Sequence, residues 1–288
     1  MVTVRFLLLA GGVLCALAFI FSCSSEDTKE GLLEYGGQTY RTIVINGQEL
    51  MAENLNYAVP GSKCYDNNPA NCAAYGMLYD WVMAMALPHS CISLSCENYI
   101  STPHKGICPS GWHVPTNAEW DKLYRFVDGD NGTHSPYDSP TAGRYLKAKQ
   151  GWRHCGPSGP SSSSGRSSSS SRFSSSSLSG SAGSSGSSSS SGRSSSSSFS
   201  SSSSLDDKPY LCDDAFGFAA LPGGCNNLGG FNGVGEYGYW WSTSEKKEDS
   251  SATYSSAAHI RYIYNRFEDA YWGPGPKNYF YSVRCFKD

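Results

Sequence analysis

The chain has 288 residues, a formal net charge of −3 and 13% aromatic residues. This length is enough for one substantial core, and the weak negative charge excludes the basic face of a nucleic-acid-binding protein, so we expect no nucleic acid as a partner. Eleven cysteines without a Cys-x-x-Cys motif indicate disulfides formed in an oxidising compartment, and we expect neither a metal site nor a cofactor.

The N-terminus predicts export. Arg5 is the only charged residue before the apolar run 6–21, which is too short for a comfortable membrane span. A basic start, a short apolar core and small residues at its end are typical of secretory signals. We therefore expect residues 1–22 to be a signal peptide.

Cys23 follows this segment as the lipidated cysteine of a bacterial lipobox would, although Phe21 is bulkier than the residue usual at its position. We expect Cys23 to carry lipid and residues 23–36 to form a polar tether. The lipid would attach the exported protein to the outer membrane or the cell surface. The alternative is a plain signal peptide with an incidental cysteine.

The first elements of the mature chain are a hairpin and a helix. Residues 38–45, the dipeptide Asn46-Gly47 and residues 48–55 predict two strands joined by a type I′ turn. A helix that ends near Pro88 is then predicted from apolar residues at helical spacing. These residues are Tyr75, Leu78, Tyr79 and Val82.

A second helix has a stronger start signal. Thr116 followed by Glu119 is a capping box, and Glu119 needs no other explanation. The apolar face of this helix is expected to consist of Trp120, Leu123, Tyr124 and Val127. For residues 141–152 a short helix and a strand both remain open.

A serine-rich tract interrupts the chain, with 32 serines among residues 161–204. It has too few apolar residues to offset the entropy of ordering, so we expect residues 158–204 to be a disordered insert. Cys155 and Cys212 flank it. If they pair, residues 37–157 and 205–288 form one domain and the tract is an excursion from it.

Short strands dominate after the tract. Residues 237–243 predict a central strand, and two later segments alternate apolar and polar positions. The alternating positions are Ala258, Ile260, Tyr262 and Tyr264 in one segment and Tyr281, Val283 and Cys285 in the other. Many short strands with two helices predict an α+β fold in one layered domain.

The chain resembles the Fibrobacter succinogenes major paralogous domain family from about residue 35 to the end. The segments that carry the resemblance are Met51-Ala-Glu-Asn-Leu-Asn-Tyr57, Cys64-Tyr-Asp-Asn67, Tyr75-Gly-Met-Leu-Tyr-Asp-Trp81, Cys108-Pro-Ser-Gly-Trp-His-Val-Pro115 with Glu119-Trp120, Phe216-Gly-Phe-Ala-Ala-Leu-Pro-Gly-Gly224, Tyr239-Trp-Trp-Ser-Thr243 and Ser282-Val-Arg-Cys-Phe-Lys-Asp288. The serine-rich tract and Cys155, Cys212 and Cys225 depart from the family pattern. The family occurs on exported proteins and lipoproteins, and its biochemical role is not established.

More remotely, the segment 112–120 and the late Trp-Trp pair are similar to the C-type-lectin-like fold shared with formylglycine-generating enzymes. That fold commonly joins the first-helix region to the last strand by a disulfide, here Cys108–Cys285. With this resemblance we expect the further pairs Cys64–Cys72, Cys91–Cys96 and Cys155–Cys212, with Cys225 as the second choice for Cys155. The fold hosts sugar binding, protein binding and catalysis, so it does not assign a function.

The sequence gives no reason to expect an enzyme. It contains no nucleophile elbow, His-Glu-x-x-His motif or phosphate loop, so we name no catalytic residue. His113 is interpreted as a packed or hydrogen-bonded structural residue. The run from Asp66 to Asn71 could supply calcium ligands, but side chains of this kind more often bond their own backbone in a turn.

Aromatic residues in glycine-rich segments give the best binding hypothesis. Tyr237, Tyr271 and Trp272 are expected in exposed loops, where their rings could stack on sugars. We therefore expect a non-catalytic exported lipoprotein that binds a polysaccharide or an envelope protein. The alternatives are an enzyme of the formylglycine-generating type and a purely structural or adhesion protein of the envelope.

Overall fold

The structure is a computed structural model that describes residues 30–129, 138–155, 211–246 and 255–288. Within these ranges the chain is mostly β-sheet with few helices, which confirms the α+β class. The expected signal peptide, Cys23 and the serine-rich insert 158–204 lie outside the described residues.

Eleven strands and four α-helices form the described part. The strands are β1 (Gly31–Tyr35), β2 (Gln38–Ile45), β3 (Gln48–Met51), β4 (Trp112–His113), β5 (Asp138–Ser139), β6 (Gly223–Asn227), β7 (Gly230–Val234), β8 (Tyr237–Lys246), β9 (Ala257–Tyr264), β10 (Ala270–Pro276) and β11 (Phe286–Lys287). The helices are α1 (Pro69–Tyr75), α2 (Trp81–Ala84), α3 (Asn117–Asp128) and α4 (Ala142–Leu146). The sheets have the orders β1-β2-β3-β11-β4, β5-β10-β9-β8 and β6-β7.

The predicted hairpin is confirmed as β2 and β3. Asn46 and Gly47 have φ angles of 49° and 75°, the positive values that a type I′ turn requires at both positions. The strand β1 pairs antiparallel with β2, from Gly31 opposite Thr42 to Tyr35 opposite Gln38. The last part of the segment that we expected to be a tether is therefore strand.

The predicted capping box begins α3. Thr116 Oγ1 accepts from the Glu119 N–H (3.2 Å), and Glu119 Oε2 accepts from the Thr116 N–H (2.8 Å). Two of the free N–H groups at the helix start are thereby satisfied. The expected apolar face is buried in the core, namely Trp120, Leu123, Tyr124 and Val127.

The prediction of a helix from Tyr75 to Val82 was wrong. The helix α1 ends at Tyr75, and Gly76 follows with φ 78°. A Cβ at Gly76 would lie 2.9 Å from the carbonyl oxygens of Asn54 and Leu55, so another part of the chain passes too close for a helix to continue. Leu78 instead forms a β-bridge, and the next helix is the short α2. The segment 141–152, left open above, contains the helix α4.

Two expectations about the later strands also need correction. The strand β8 is an end strand of its sheet, with only an isolated parallel bridge between Trp240 and Ser282 on its other side. Residues 281–285 form no continuous strand, and their side chains are all buried without alternation. They run between β8 and the first sheet, so neighbours cover them on every side.

Four disulfides link the described residues, and they are the pairs named above: Cys64–Cys72, Cys91–Cys96, Cys108–Cys285 and Cys155–Cys212. Cys108–Cys285 closes a separation of 177 residues and joins the chain before β4 to the chain before β11. Cys155–Cys212 joins the residues that flank the serine-rich tract of the sequence. Such long loops are where cross-links reduce the entropy of the unfolded chain most.

The buried side chain of Asn54 connects the two parts of the chain. Its Oδ1 accepts from Trp240 Nε1 (2.8 Å) and Arg284 Nε (2.9 Å). Its Nδ2 donates to the Tyr75 carbonyl (2.8 Å) and Ser282 Oγ (3.3 Å). The buried amide therefore bonds four residues from three other segments of the chain.

We predict that Asn54→Ala lowers the free energy of unfolding by about 3 kcal/mol, because it leaves Trp240 Nε1 and the charged Arg284 Nε without an acceptor. Urea unfolding with the disulfides intact measures this. Asn56→Ala is the control, since Asn56 is half-buried and uses its backbone N–H to bond Tyr40. The control should lose less than about 1 kcal/mol. Equal losses in the two variants would contradict the proposed role of the network.

Candidate functional site

Five tyrosines stand side by side on one face of the sheet formed by β8, β9 and β10. We call this surface the tyrosine face, and its members are Tyr237, Tyr239, Tyr262, Tyr264 and Tyr271. Tyr237 pairs with Tyr264, Tyr239 with Tyr262, and Tyr262 with Tyr271 across the strands. Side chains at paired positions point to the same side of a sheet, so the register alone brings the five rings together.

The rings pack on one another. Tyr262 and Tyr271 are stacked, with centroids 5.3 Å apart and planes 16° apart. Tyr237 meets Tyr264 edge to face at 4.6 Å and stacks on Tyr239 at 5.7 Å. All five rings are half-buried. Neighbouring rings cover part of each face, which holds every ring in place and leaves the remainder of its surface for a ligand.

The tyrosine face continues at both ends into further aromatic rings. Phe267 is half exposed, with its centroid 5.8 Å from that of Tyr264. At the other end the buried Tyr281 lies 5.0 Å from Tyr239 and 4.7 Å from Trp241. The surface is therefore anchored in the core at one end and open at the other.

The hydroxyls of Tyr239, Tyr262 and Tyr264 are neutral over the physiological range. Burial raises the pKa of Tyr239, Tyr262 and Tyr264 above the ordinary value, and neighbouring tyrosines add to the effect at Tyr264. The hydroxyl of Tyr271 donates to Asp269 Oδ2 at 2.8 Å. The face can therefore offer ring carbons and neutral hydroxyl groups, which both donate and accept hydrogen bonds.

The structure corrects where the three predicted binding residues lie. Tyr237 is on β8, and Tyr271 and Trp272 are on β10, so they are half-buried strand residues and not exposed loop residues. The glycines that suggested a loop make room for packing. A Cβ at Gly275 would lie 3.0 Å from both Ile260 and Tyr281.

Trp272 belongs to the opposite side of the sheet from Tyr237 and Tyr271. Consecutive strand residues point to opposite faces, and Trp272 lies across from Arg261, against α3. The structure thus brings two of the three predicted residues together and separates the third. It adds Tyr239, Tyr262 and Tyr264, whose spacing of two along their strands was the available signal.

Cys225 of β6 is a buried free thiol that interacts electrostatically with Tyr239, and burial raises its pKa to about 11. Its Sγ lies 3.2 Å from Asn232 Oδ1. The other eight described cysteines are in disulfides. A thiol with this pKa is almost fully protonated at neutral pH and is a poor nucleophile and metal ligand.

His113 is the histidine with the closest acidic partners in the described part of the chain. Its Nδ1 lies 2.7 Å from Asp288 Oδ1 and its Nε2 lies 2.8 Å from Glu119 Oε1. Burial works against the charged ring, but the two carboxylates outweigh it and raise the pKa of His113. Burial likewise opposes the charge of Glu119, whose pKa is nevertheless lowered by bonds to His113 and Thr116.

In the segment from Asp66 to Asn71, which was considered for calcium, two asparagine side chains form hydrogen bonds with nearby backbone groups. Asn68 Oδ1 accepts from the Ala70 N–H (3.0 Å) at the start of α1, and Asn71 Nδ2 donates to the Tyr65 carbonyl (2.9 Å). Among the described residues no group of three or more His, Cys, Asp or Glu side chains is placed to hold a metal ion. A search of the same residues found no helix with the length and apolarity to span a membrane.

A polar cleft of about 290 Å³ opens beside Asn54, between the first sheet and α1. Its rim carries Arg41 and Glu53, whose Nε and Oε1 lie 3.1 Å apart. These two charges compensate each other. The cleft is therefore a weaker candidate for a ligand-binding site than the tyrosine face, whose rings are only half-buried.

Together the fold and this surface define a disulfide-bonded α+β domain that presents an aromatic sheet face. The family model of the Fibrobacter succinogenes major domain matches residues 38–287, and the chain belongs to that family. No curated protein and no solved structure gives a significant match. The match extends over both sides of the serine-rich insert.

We predict that His113→Gln destabilises the protein most at mildly acidic pH. Because the folded pKa of His113 is raised, its contribution is fully present below the unfolded value near 6.5 and is lost as pH rises through the folded value. The lowered pKa of Glu119 makes its contribution present above about 4.5 and lost as pH falls through the folded value. We expect a loss of about 2 kcal/mol near pH 5.5 and a smaller loss at pH 8.

Urea unfolding of the two proteins across this pH range measures the difference. His89→Gln, which changes an exposed histidine, is the control and should lower the free energy of unfolding by less than about 1 kcal/mol. A difference for His113→Gln that stayed constant from pH 5 to pH 8 would rule out a charged His113 in the folded protein.

Proposed function

We propose that the tyrosine face binds polysaccharide chains outside the cell. The observation that carries the proposal is the uninterrupted set of five half-buried tyrosines on β8–β10. Rings held by their neighbours lose little entropy when a ligand binds, and their uncovered surface can pack against the apolar faces of sugar rings. The neutral hydroxyls can bond sugar hydroxyl groups at the edge of that contact.

We further propose that this domain has a C-type-lectin-like fold. Three observations support it: the strands near both ends of the domain share one sheet, Cys108–Cys285 connects the region before α3 to the last strand, and α3 packs on the second sheet. The remote similarity to formylglycine-generating enzymes rests on the same arrangement.

The proposed role is binding without catalysis. An activity of the formylglycine-generating type would need reactive cysteines, whereas Cys225 is buried with a pKa of about 11 and the other described cysteines are bridged. An envelope protein is the other ligand consistent with an aromatic surface. Measuring retention on polysaccharides distinguishes an envelope-protein ligand from a polysaccharide ligand.

We predict that the exported protein is retained on at least one of cellulose, xylan and pectin, and that replacing two face residues weakens this retention. Tyr264→Ala with Tyr271→Ala removes the rings nearest the open end. Because a stacked ring contributes about 1 kcal/mol, the double variant should bind roughly 10- to 100-fold more weakly. Depletion from solution by the insoluble polysaccharides measures the affinities.

The matched control is Tyr99→Ala, which removes an exposed tyrosine from a short 3-10 helix outside the face. It should bind as the unchanged protein does. Absence of retention on all three polymers by the correctly folded protein would remove the polysaccharide version. Capture of a single envelope protein would then indicate the alternative ligand.

We also propose that the protein is an exported lipoprotein, cleaved after residue 22 and anchored by lipid on Cys23. The signal-like start, the lipobox-like position of Cys23 and the four disulfides support this.

We predict that Cys23→Ser moves the protein from the detergent phase to the aqueous phase in Triton X-114 partitioning, because it removes the lipid attachment site. Cys15→Ser, which lies within the expected signal, should leave the partitioning unchanged. Aqueous partitioning of the unchanged protein would refute the anchor.

A further inference from the structure

A gap in the first sheet leaves part of β2 without a neighbour. The pairing of β2 with β3 ends where Thr42 lies opposite Met51. The chain then leaves β2, and the Leu55 N–H donates to the Val283 carbonyl instead (2.8 Å). The polar cleft of about 290 Å³ described above opens in this gap, where β3 would have continued along β2.

The strand register shows which backbone groups of β2 face the cleft. The hairpin of β1 and β2 closes with Tyr35 opposite Gln38 across a two-residue turn. Alternate residues of an antiparallel strand bond the same neighbour, so Gln38 bonds β1, whereas Thr39 and Arg41 direct their N–H and C=O groups away from β1. The bond from the Ala52 N–H to the Arg41 carbonyl (2.8 Å) agrees with this alternation.

Thr39 is the residue of β2 whose backbone lies unpaired along the cleft. Its N–H and C=O groups have no backbone partner on the cleft side among the described residues. At Arg41 a side chain replaces the missing strand, because the Glu53 carboxylate accepts from the Arg41 N–H (3.4 Å) and from its Nε (3.1 Å). Thr39 therefore presents one donor and one acceptor to the cleft, as the free edge of a sheet does.

Further acceptors lie on another wall of the cleft, where the helix α1 ends. The last four carbonyls of a helix have no partner within it. Two of them have partners elsewhere, those of Cys72 and Tyr75. The other two, of Ala73 and Ala74, belong to residues that line the cleft and have no backbone partner in the part of the chain that the structure describes.

The size and the walls of the cleft suit a narrow chain. Its volume is at the lower end of the range of ligand pockets, and it has room for about two or three residues of extended backbone. Several lining residues have no side chain beyond Cβ, namely Ala52, Ala73, Ala74, Gly76 and Ala219. The charges of Arg41 and Glu53 compensate each other, so the cleft favours a neutral ligand.

We propose that this cleft binds a short extended peptide with small side chains, which adds to β2 at Thr39. The peptide residue opposite Thr39 would exchange both backbone hydrogen bonds with it. The N–H groups on the other edge of the peptide would donate to the free carbonyls of α1. In this mode the main chain gives the affinity and the side chains are limited by size. The proposal does not depend on the tyrosine face or on polysaccharide binding.

Hydrogen–deuterium exchange of the exported protein, resolved to single amides by mass spectrometry, tests the proposal. The probe is acetyl-Ala-Ser-Ala dimethylamide at about 10 mM. With a Kd of about 1 mM, exchange of the Thr39 N–H should slow about 10-fold, because the bound peptide accepts from it. The same peptide N-methylated at each residue cannot donate and should leave the exchange unchanged. Exchange at Thr39 that the unmodified peptide did not slow would overturn the proposal.

A substitution in the wall locates the site. Ala73→Leu fills the cleft from an exposed position of α1, where leucine is a good helix former. It should weaken peptide binding about 10-fold or more, since the two bonds at Thr39 are lost. Ala118→Leu makes the same change at an exposed position of α3 and should bind the peptide normally.

Two further outcomes would contradict the proposal. Equal peptide binding by the Ala73→Leu and Ala118→Leu proteins would place the peptide outside the cleft. Slower exchange at Thr39 with xylotriose, to the same extent as with the peptide, would make the cleft a sugar site. Retention on polysaccharides is measured separately, so failure of this proposal leaves that of the tyrosine face untouched.

Discussion

The structure depends on one buried amide, that of Asn54, because the chain has few long helices to organise its core. The hydrogen bond from Arg284 explains why an acceptor is required at the position of the Asn54 amide. The Arg284 guanidinium is fully buried, and in the described structure it donates to three neutral acceptors, Asn54 Oδ1 and the carbonyls of Phe218 and Ala219. Burial lowers the pKa of Arg284 to about 9, so the protein holds a charge that only correctly placed oxygens can stabilise. Ala219 accordingly keeps a positive φ of 49°, with its carbonyl on Arg284 and its N–H on Asp214.

The same network fixes the strand that carries the candidate site. Trp240 bonds Asn54, and the next residue along β8, Trp241, donates from Nε1 to the Tyr79 carbonyl at 2.8 Å. The two indoles point to opposite sides of the strand, so β8 is anchored in both hydrophobic clusters. The strands β9 and β10 follow from β8 by pairing. The polar network thus holds β8, the strand that carries Tyr237 and Tyr239.

Local signals predicted part of this structure well. The Asn46-Gly47 turn and the capping box of α3 each depend on a few neighbouring residues, and both were confirmed. The helix predicted across Gly76 failed because the cause lies outside the segment, in the passage of Asn54 and Leu55 against Gly76. The prediction of an exposed loop at residues 271–276 was wrong for a similar reason. Among the described residues, β10 beyond Tyr271 pairs with β9 alone, and prolines are tolerated at a strand edge more readily than within a central strand.

The spacing of two along β8 and β9 puts the tyrosines of each strand on one side, but only the register of three strands brings the five rings together. That register also explains why one sheet can have two separate chemistries. Tyr262 and Arg261 are adjacent in β9, yet Tyr262 lies in the aromatic surface, whereas the buried Arg261 bonds Asn117 and Asp121 of α3 on the other side. Helix α3 covers only the second side. A contiguous aromatic surface left half-buried keeps unfavourable contact with water that a ligand would remove, and this is the physical reason to propose binding on the side that lacks the helix.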